Sequence, residues 1–243
     1  MKKILSFSLY GDKPIFNIGC IENAKLHKIF FTDWVMRVYC NHSVPEETLT
    51  ELKKYDVEIV MLDQDTNYFA SMWRFYPYSE HGVSHFISRD ADSRISKRDE
   101  CSVNQWIESK KEFHIIRDHP VGHGWVINAG MWGCVPNPHE NINELINNYI
   151  NINNTPEEKS IDQKFLKDII YPKINNSNLF LNDEYFNYEG IGVKIDRERE
   201  LDNYQFIGEP INSENMLVDA YRDNILPGWC SLNNNKELIG GYH

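Results

Sequence analysis

A short apolar run that ends in two aspartates is the most informative stretch of this chain: Val83-Ser84-His85-Phe86-Ile87-Ser88-Arg89-Asp90-Ala91-Asp92. The first six residues predict a buried strand, and the acidic pair follows on the turn that leaves it. Two carboxylates one residue apart can hold a divalent cation that keeps positions open for phosphate oxygens. An aspartate pair is common in acidic proteins, so its meaning depends on the sequence around it.

Strand-like and helix-like runs alternate before this stretch. Strands are predicted at 3–9, 35–39, 57–62 and 83–88, with helices between them that end near Phe30, begin after Ser43 and span 69–76. Ser43-Val44-Pro45-Glu46 is typical of a capped helix start. Alternating strands and helices predict an α/β fold, a mostly parallel sheet flanked by helices on both faces. Ligands of such sheets bind at the carboxyl ends of the strands, where Asp90 and Asp92 are placed.

The second half of the chain gives weaker signals. Ser96 caps a predicted helix that carries Trp106, and short strands are predicted at 113–116 and 125–127. Thr155-Pro156-Glu157-Glu158 predicts the start of another helix, whose apolar stripe is Ile161, Phe165 and Ile169. No repeat or linker divides the 243 residues, so we expect a single domain over 1–243.

Charge and composition limit the partners. The net charge of -11 argues against nucleic acid, because binding to a phosphate backbone depends on clustered Lys and Arg. A bound cation would therefore have to neutralise the charge of any phosphate ligand. No apolar run approaches the roughly 18 residues that a membrane span needs, so we expect a cytoplasmic protein, or one peripheral at a membrane. The five cysteines include no CxxC pair and are expected to be reduced and mostly buried.

The acidic pair can be interpreted in several ways. A calcium loop would need a glycine at its sixth position, where this chain has Ile95, so that interpretation fails. A phosphatase with an aspartyl nucleophile would carry the pair near the first strand, whereas here it follows about the fourth. A metal bridge to the diphosphate of a nucleotide-sugar fits the position. The remaining alternative is a charged turn in which Arg89 and Arg94 neutralise the acids.

Other candidate residues each have a functional and a structural interpretation. Tyr10 could stack on a base or close the sheet, and Arg74 could clamp a diphosphate or pack on its aromatic neighbours. The segment Gly130-Met131-Trp132-Gly133 could admit a ligand close to the backbone or form an ordinary turn. Asp162 lies beside the apolar stripe of its helix, and is either a general base or an acid on the helix flank.

Four blocks of sequence together resemble a known family. They are His85-Phe86-Ile87-Ser88-Arg89-Asp90-Ala91-Asp92-Ser93-Arg94, Arg117-Asp118-His119-Pro120, Ala129-Gly130-Met131-Trp132-Gly133 and Asp162-Gln163. In these blocks the chain resembles the small GT-A-fold glycosyltransferases with an Asp-x-Asp motif found in capsule loci and giant-virus glycosylation systems. The likeness runs from about Lys3 to about Ile207.

The resemblance implies a role for each candidate residue. Asp90 and Asp92 would hold Mn²⁺ or Mg²⁺ and the donor diphosphate, with Asp92 the more direct ligand. The remaining donor-binding residues would meet the base, the diphosphate or the sugar; they are Ser8, Tyr10, Arg74, Gly130, Met131, Trp132 and Gln163.

The implied reaction moves a sugar from a nucleotide-diphosphate sugar, a UDP-sugar before others, to a hydroxyl of a glycan or saccharide acceptor, as in polysaccharide biosynthesis. In an inverting mechanism Asp162 would accept the proton of that hydroxyl. The alternative from another class is a non-catalytic protein on the same fold that binds a nucleotide-sugar or a glycan. A phosphohydrolase is a third candidate.

Overall fold

The structure, a computed structural model, describes residues 1–120, 122–152, 159–196, 206–214 and 216. The strands of this part are β1 (Lys2–Leu9), β2 (Val35–Cys40), β3 (Glu58–Met61), β4 (Val83–Ser88), β5 (Phe113–Arg117), β6 (Trp132–Cys134) and β7 (Leu179–Asp183). Its α-helices are α1 (Pro14–Phe30), α2 (Glu46–Lys53), α3 (Lys97–Ser109), α4 (Ile142–Ile152) and α5 (Ile161–Phe165). A 3-10 helix spans Tyr68–Ser79, and α5 continues through a π-helical turn, Leu166–Ile170, into a short 3-10 turn, Tyr171–Lys173.

The described strands form one seven-stranded sheet in the order β3-β2-β1-β4-β6-β5-β7. Strand β6 runs antiparallel to β4 and β5, and every other neighbouring pair is parallel. The predicted fold, a mostly parallel sheet, is therefore confirmed. Because β1 and β4 are parallel neighbours, their carboxyl ends meet at one edge of the sheet, and the acidic turn leaves the sheet there.

Helices cover both faces of the sheet, because successive side chains of a strand point to opposite faces. On one face Leu5 and Ile87 pack with buried residues of α1, α2 and α3. On the other face Ile4 and Phe86 pack with the 3-10 helix, α4 and α5. The 3-10 helix therefore packs on this face of the sheet, with Met72 and Phe75 in the core.

Helix starts follow the sequence in one case and depart from it in another. The side chain of Ser96 accepts a hydrogen bond from the backbone N–H of Asp99 at 3.2 Å, which confirms the predicted cap of α3. The cap predicted at Ser43 is wrong, because α2 begins after Pro45 without a side-chain cap. The hydroxyl of Ser43 instead accepts a hydrogen bond from the N–H of Gly11 at 2.7 Å.

Two further expectations change. The strand predicted at 125–127 is a bend, and the strand that pairs with β4 and β5 is β6, which begins within the segment 130–133. The helix start predicted at 155–158 lies outside the described residues. The part of that helix that the structure describes has Ile161 and Phe165 buried and Ile169 partly buried, in agreement with the predicted stripe.

Candidate functional site

The 3-10 helix is fastened to the end of β1 by serine side chains. The hydroxyl of Ser6 donates to the carbonyl oxygen of Arg74 at 2.7 Å. The hydroxyl of Ser8 donates to the carbonyl oxygen of Ser71 at 3.1 Å and accepts from the N–H of Arg74 at 2.9 Å. Ser8, a predicted donor-binding residue, therefore positions the backbone of Arg74.

The guanidinium of Arg74 lies between two carboxylates. Its Nη1 forms an ion pair with Asp90, and its Nη2 pairs with Oδ2 of Asp162 at 2.7 Å. Nη1 also donates to the carbonyl oxygen of Arg89 at 3.2 Å. Although burial opposes the charge, the two carboxylates hold the pKa of Arg74 above its ordinary value. The structure thus joins three of the predicted site residues through one side chain.

The carboxylate of Asp90 occupies space that is free because residue 130 is a glycine. A methyl group added at Gly130 would lie 1.9 Å from Oδ2 of Asp90, so only glycine allows the carboxylate this position. The side chain of Asp90 remains 38% exposed, which leaves room for a ligand. The charged-turn alternative had Arg89 and Arg94 neutralise the acids, but Arg89 points into the core and pairs with Asp99 at 2.6 Å, and Asp90 pairs with Arg74.

Asp92 is half-buried on the same turn. Burial, followed by the charge of Asp90, raises the pKa of Asp92 to about 6. Its carbonyl oxygen accepts a hydrogen bond from the N–H of Ile211 at 2.7 Å, and Ser93 forms a bridge with Pro210. Pro210 and Ile211 therefore lie against the acidic turn, a contact that no pattern in the sequence predicted.

Asp162 and Gln163 lie at the start of α5. Asp162 is 7% exposed, and its Oδ1 accepts a hydrogen bond from the N–H of Gln163 at 2.9 Å. Asp162 is therefore turned away from water, on the side of the apolar stripe beside which the sequence places it. The side-chain oxygen Oε1 of Gln163 is buried and has no hydrogen-bond partner among the described residues. An amide oxygen in that position can accept a hydrogen bond from a hydroxyl group of a ligand.

The other candidate residues divide between the site and the core. Tyr10 packs edge-on against Trp73, with ring centroids 6.0 Å apart, and burial raises its pKa while Arg74 opposes the shift. Met131 is buried, and a methyl group added at Gly208 would lie 2.3 Å from its Cε. Trp132 is fully buried and packs against core phenylalanines, so its side chain offers no surface to a ligand.

The donor set for a metal ion is small. Among the described residues no group of three or more His, Cys, Asp or Glu side chains is arranged to hold a metal. Asp90 and Asp92 nevertheless fit a hard cation, because Mg²⁺-type sites commonly take one or two carboxylates and complete their shell with water and substrate phosphates. A cation there would also reduce the repulsion between the two carboxylates.

The helices that the structure describes include none long and apolar enough to cross a membrane.

Comparisons with known proteins find similar folds. No family model and no curated protein matches the chain. A glycosyltransferase involved in glycosylation of the major capsid of PBCV-1 is similar with a TM-score of 0.47 and 16% identity, over 74% of this chain and 80% of that one. M. tuberculosis glucosyl-3-phosphoglycerate synthase, in complex with Mn²⁺ and UDP-glucose, has a TM-score of 0.47 and 11% identity, over 83% and 73%. S. aureus TarS 1-349 has a TM-score of 0.42 and 14% identity, over 68% and 54%.

Proposed function

We propose that the chain is a metal-dependent glycosyltransferase that moves a sugar from a nucleotide-diphosphate sugar to a hydroxyl group of a glycan. The observation that carries this proposal is the guanidinium of Arg74 between Asp90 and Asp162, at the carboxyl ends of β1 and β4. The guanidinium of Arg74 is suited to bind a diphosphate, and the two carboxylates beside it differ in exposure. The cluster lies where open α/β sheets bind ligands.

The binding roles follow from exposure. Asp90, which is partly exposed, and Asp92 would hold Mn²⁺ or Mg²⁺, and the cation would offset the charge of the leaving diphosphate. Tyr10 would contact the base, and Gln163, with its buried unpartnered oxygen, would accept a hydrogen bond from a sugar hydroxyl. Gly130 would keep the backbone beside Asp90 clear for the donor sugar.

Arg74 would control whether Asp162 is available as a base. In the structure Nη2 of Arg74 donates a hydrogen bond to Oδ2 of Asp162 at 2.7 Å, so this oxygen is engaged by the guanidinium and not by an acceptor hydroxyl. A diphosphate offers Arg a bidentate partner of higher charge than one carboxylate. Donor binding would therefore draw Arg74 away from Asp162 and leave this carboxylate able to accept the proton of the acceptor hydroxyl.

One observation favours a second function. Both oxygens of Asp162 already accept hydrogen bonds, one from Arg74 and one from the backbone of Gln163. If that arrangement persists with donor bound, no carboxylate is available as a base. The chain would then be a non-catalytic protein that binds a nucleotide-sugar or a glycan on the same fold.

Acceptor-dependent release of nucleoside diphosphate separates the two functions. UDP-sugars and other nucleotide-sugars are offered with Mn²⁺, with and without a panel of saccharide acceptors, and released nucleoside diphosphate is measured. A transferase releases it faster with one acceptor than without, and Asp162→Asn lowers that rate by about 10²–10⁴-fold without weakening donor binding. The matched control is Asp168→Asn, because Asp168 is an exposed residue of the π-helical turn that follows α5. This variant should keep the parental rate.

Two results would contradict the transferase. Donor binding without release in the presence of any acceptor would indicate the binding protein. Release that is equally fast with and without acceptor would indicate a hydrolase that transfers the sugar to water.

A further inference from the structure

A concave site on the 3-10 helix lies outside the cluster of Arg74, Asp90 and Asp162. Its volume is about 620 Å³, within the range of about 300–1,000 Å³ that is usual for small-molecule sites. It lies between the end of β2, the loop 62–67, the 3-10 helix and α4. Asp90, Asp162 and Arg74 are not among the residues that line it. We refer to this space as the amide cavity.

Two adjacent residues of the 3-10 helix separate the two sites. Arg74 extends toward Asp90 and Asp162, whereas Trp73 extends toward the amide cavity, where its Nε1 donates to Oε1 of Gln64 at 2.7 Å. A ligand of the amide cavity would therefore contact a different face of the helix from a ligand held by Arg74.

The floor of the amide cavity is apolar and largely aromatic. Phe69 and Tyr76 are half-buried there, while Met72 and Trp73 are buried below them. Aromatic rings that present part of their surface to a cavity can pack against the C–H face of a sugar ring and exclude water from it.

The rim of the amide cavity is polar and comes from two sides. Asn143 and Asn147 are exposed and lie one turn apart on α4, so both side chains line the same edge. Asp63 and Asp65 line the opposite edge. The described lining residues include no Lys or Arg, so the site is poorly suited to a phosphate or another anion. Amide and carboxylate groups instead match a neutral ligand with many hydroxyls.

The loop that forms one wall is held in place before any ligand binds. Asn41 Nδ2 donates to the carbonyl oxygen of Gln64 at 2.8 Å and to the hydroxyl of Thr66 at 2.9 Å. Asn41 Oδ1 accepts from the N–H and from the hydroxyl of Ser43. Because this wall is already ordered, ligand binding does not have to supply the cost of ordering it.

We propose that the amide cavity binds a neutral saccharide, of the size of a short oligosaccharide, with a sugar face on the aromatic floor and its hydroxyls on Asn143, Asn147 and the acidic edge. The proposal does not depend on the transfer activity, because the site shares no lining residue with the Arg74 cluster and its test measures binding alone.

The test uses four neutral trisaccharides as probes: maltotriose, cellotriose, mannotriose and N,N′,N″-triacetylchitotriose. Each is titrated into the full chain without nucleotide or metal, and binding is measured by calorimetry and by saturation-transfer NMR. We expect at least one probe to bind. The double variant Asn143→Ala, Asn147→Ala should bind it about tenfold more weakly, because two side-chain hydrogen bonds are lost.

Two control variants locate the binding. Asn148→Ala removes an exposed amide from the same helix, outside the cavity lining, and should leave affinity unchanged. Asp90→Asn changes the acidic turn and should also leave it unchanged. The proposal is overturned if no trisaccharide binds, or if Asn148→Ala or Asp90→Asn weakens binding as much as the double variant does. It is equally overturned if uridine binds and the double variant removes that binding while the trisaccharides do not bind.

Discussion

Arg74 neutralises two carboxylates, Asp90 and Asp162, which lie 16 and 88 positions further along the chain. Ser6 and Ser8 of β1 form hydrogen bonds with its backbone, so the strand that ends at the site also positions the guanidinium. The same side chain therefore links the first strand, the acidic turn and α5. Its removal should affect the stability of the fold as well as ligand binding.

Arg74→Met should lower the free energy of unfolding by about 2–3 kcal/mol. The reason is that one buried carboxylate loses its partner, while the cost at Asp90 is reduced by solvent because that side chain is 38% exposed. Asp162→Asn in the Arg74→Met background should recover part of the loss, with a coupling of about 1 kcal/mol or more. Urea unfolding of the parent, both single variants and the double variant measures the coupling. Additive effects would show that the ion pair contributes nothing.

His114 makes stability depend on pH. It is fully buried, stacks on Trp106, and its Nε2 lies 2.9 Å from Oδ1 of Asn182. Burial lowers the pKa of His114 to about 3, so the folded chain keeps this ring neutral. In the unfolded chain the ring protonates near pH 6.5. Its contribution to stability is therefore complete above about pH 6.5 and is lost progressively as the pH falls from there toward about 3.

His114→Gln should remove part of that pH dependence. The variant is less stable than the parent at pH 7, but its urea midpoint falls less between about pH 7 and about pH 4.5, because one fewer proton is taken up on unfolding. His81→Gln, a change at an exposed histidine, should keep the parental slope. Equal slopes for His114→Gln and the parent would show that His114 is not the group that titrates.

At the scale of elements, sequence patterns identified most of the sheet. The strands up to β4 carry runs of apolar residues long enough to be recognised, and Ser96 marks the start of α3. Strand β6 was missed because it has three residues, one of them Gly133, and gains its stability from pairing on both sides. Trp125-Val126-Ile127 has the composition of a strand but forms a bend, because tertiary context overrides β-propensity.

Gly133, inside β6, and Gly130, two residues before the strand begins, should respond differently to alanine. At Gly133 the added methyl would lie 2.5 Å from the backbone oxygen of Phe86, so Gly133→Ala should separate β6 from β4 and cost about 1–3 kcal/mol of stability. At Gly130 the clash is with the Asp90 side chain, which can rotate away. Gly130→Ala should therefore cost less stability and mainly weaken nucleotide binding in the presence of Mn²⁺.

Thermal unfolding and calorimetry with nucleoside diphosphate and Mn²⁺ distinguish these outcomes. Each variant serves as the control for the other. A Gly130→Ala variant that binds as tightly as the parent would show that the position of Asp90 is not needed for binding.

At the scale of the whole molecule, the site is assembled from segments far apart in sequence. The sequence singled out Arg74, Asp90 and Asp162 separately, but neither periodicity nor spacing indicates that one guanidinium joins them. The amide cavity was missed for the same reason: its floor comes from the 3-10 helix, and its rim from α4 and from the loop after β3. Contacts between distant segments are fixed by packing of the complete sheet.

The charge of the molecule makes a cation necessary for the proposed donor binding. With a net charge of -11, and with Arg74 as the guanidinium between Asp90 and Asp162, the chain itself supplies little positive charge for a diphosphate. We therefore expect nucleoside diphosphate binding, measured by calorimetry with Mn²⁺, to collapse when EDTA is added in excess, since Asp90 and Asp92 would then repel the phosphates. Removal of the metal should not unfold the chain, which circular dichroism in EDTA checks.

Salt should have a smaller effect than the chelator. A polybasic site with about 6–10 phosphate contacts loses about 10³–10⁵-fold in affinity between about 50 mM and about 200 mM salt, because many counterions are released on binding. A diphosphate held at a partly buried cation is screened much less, so the same change should weaken binding by about tenfold or less. Full affinity in EDTA would contradict the metal assignment of Asp90 and Asp92, and the phosphates would then have to be held by Arg74 and its neighbours alone.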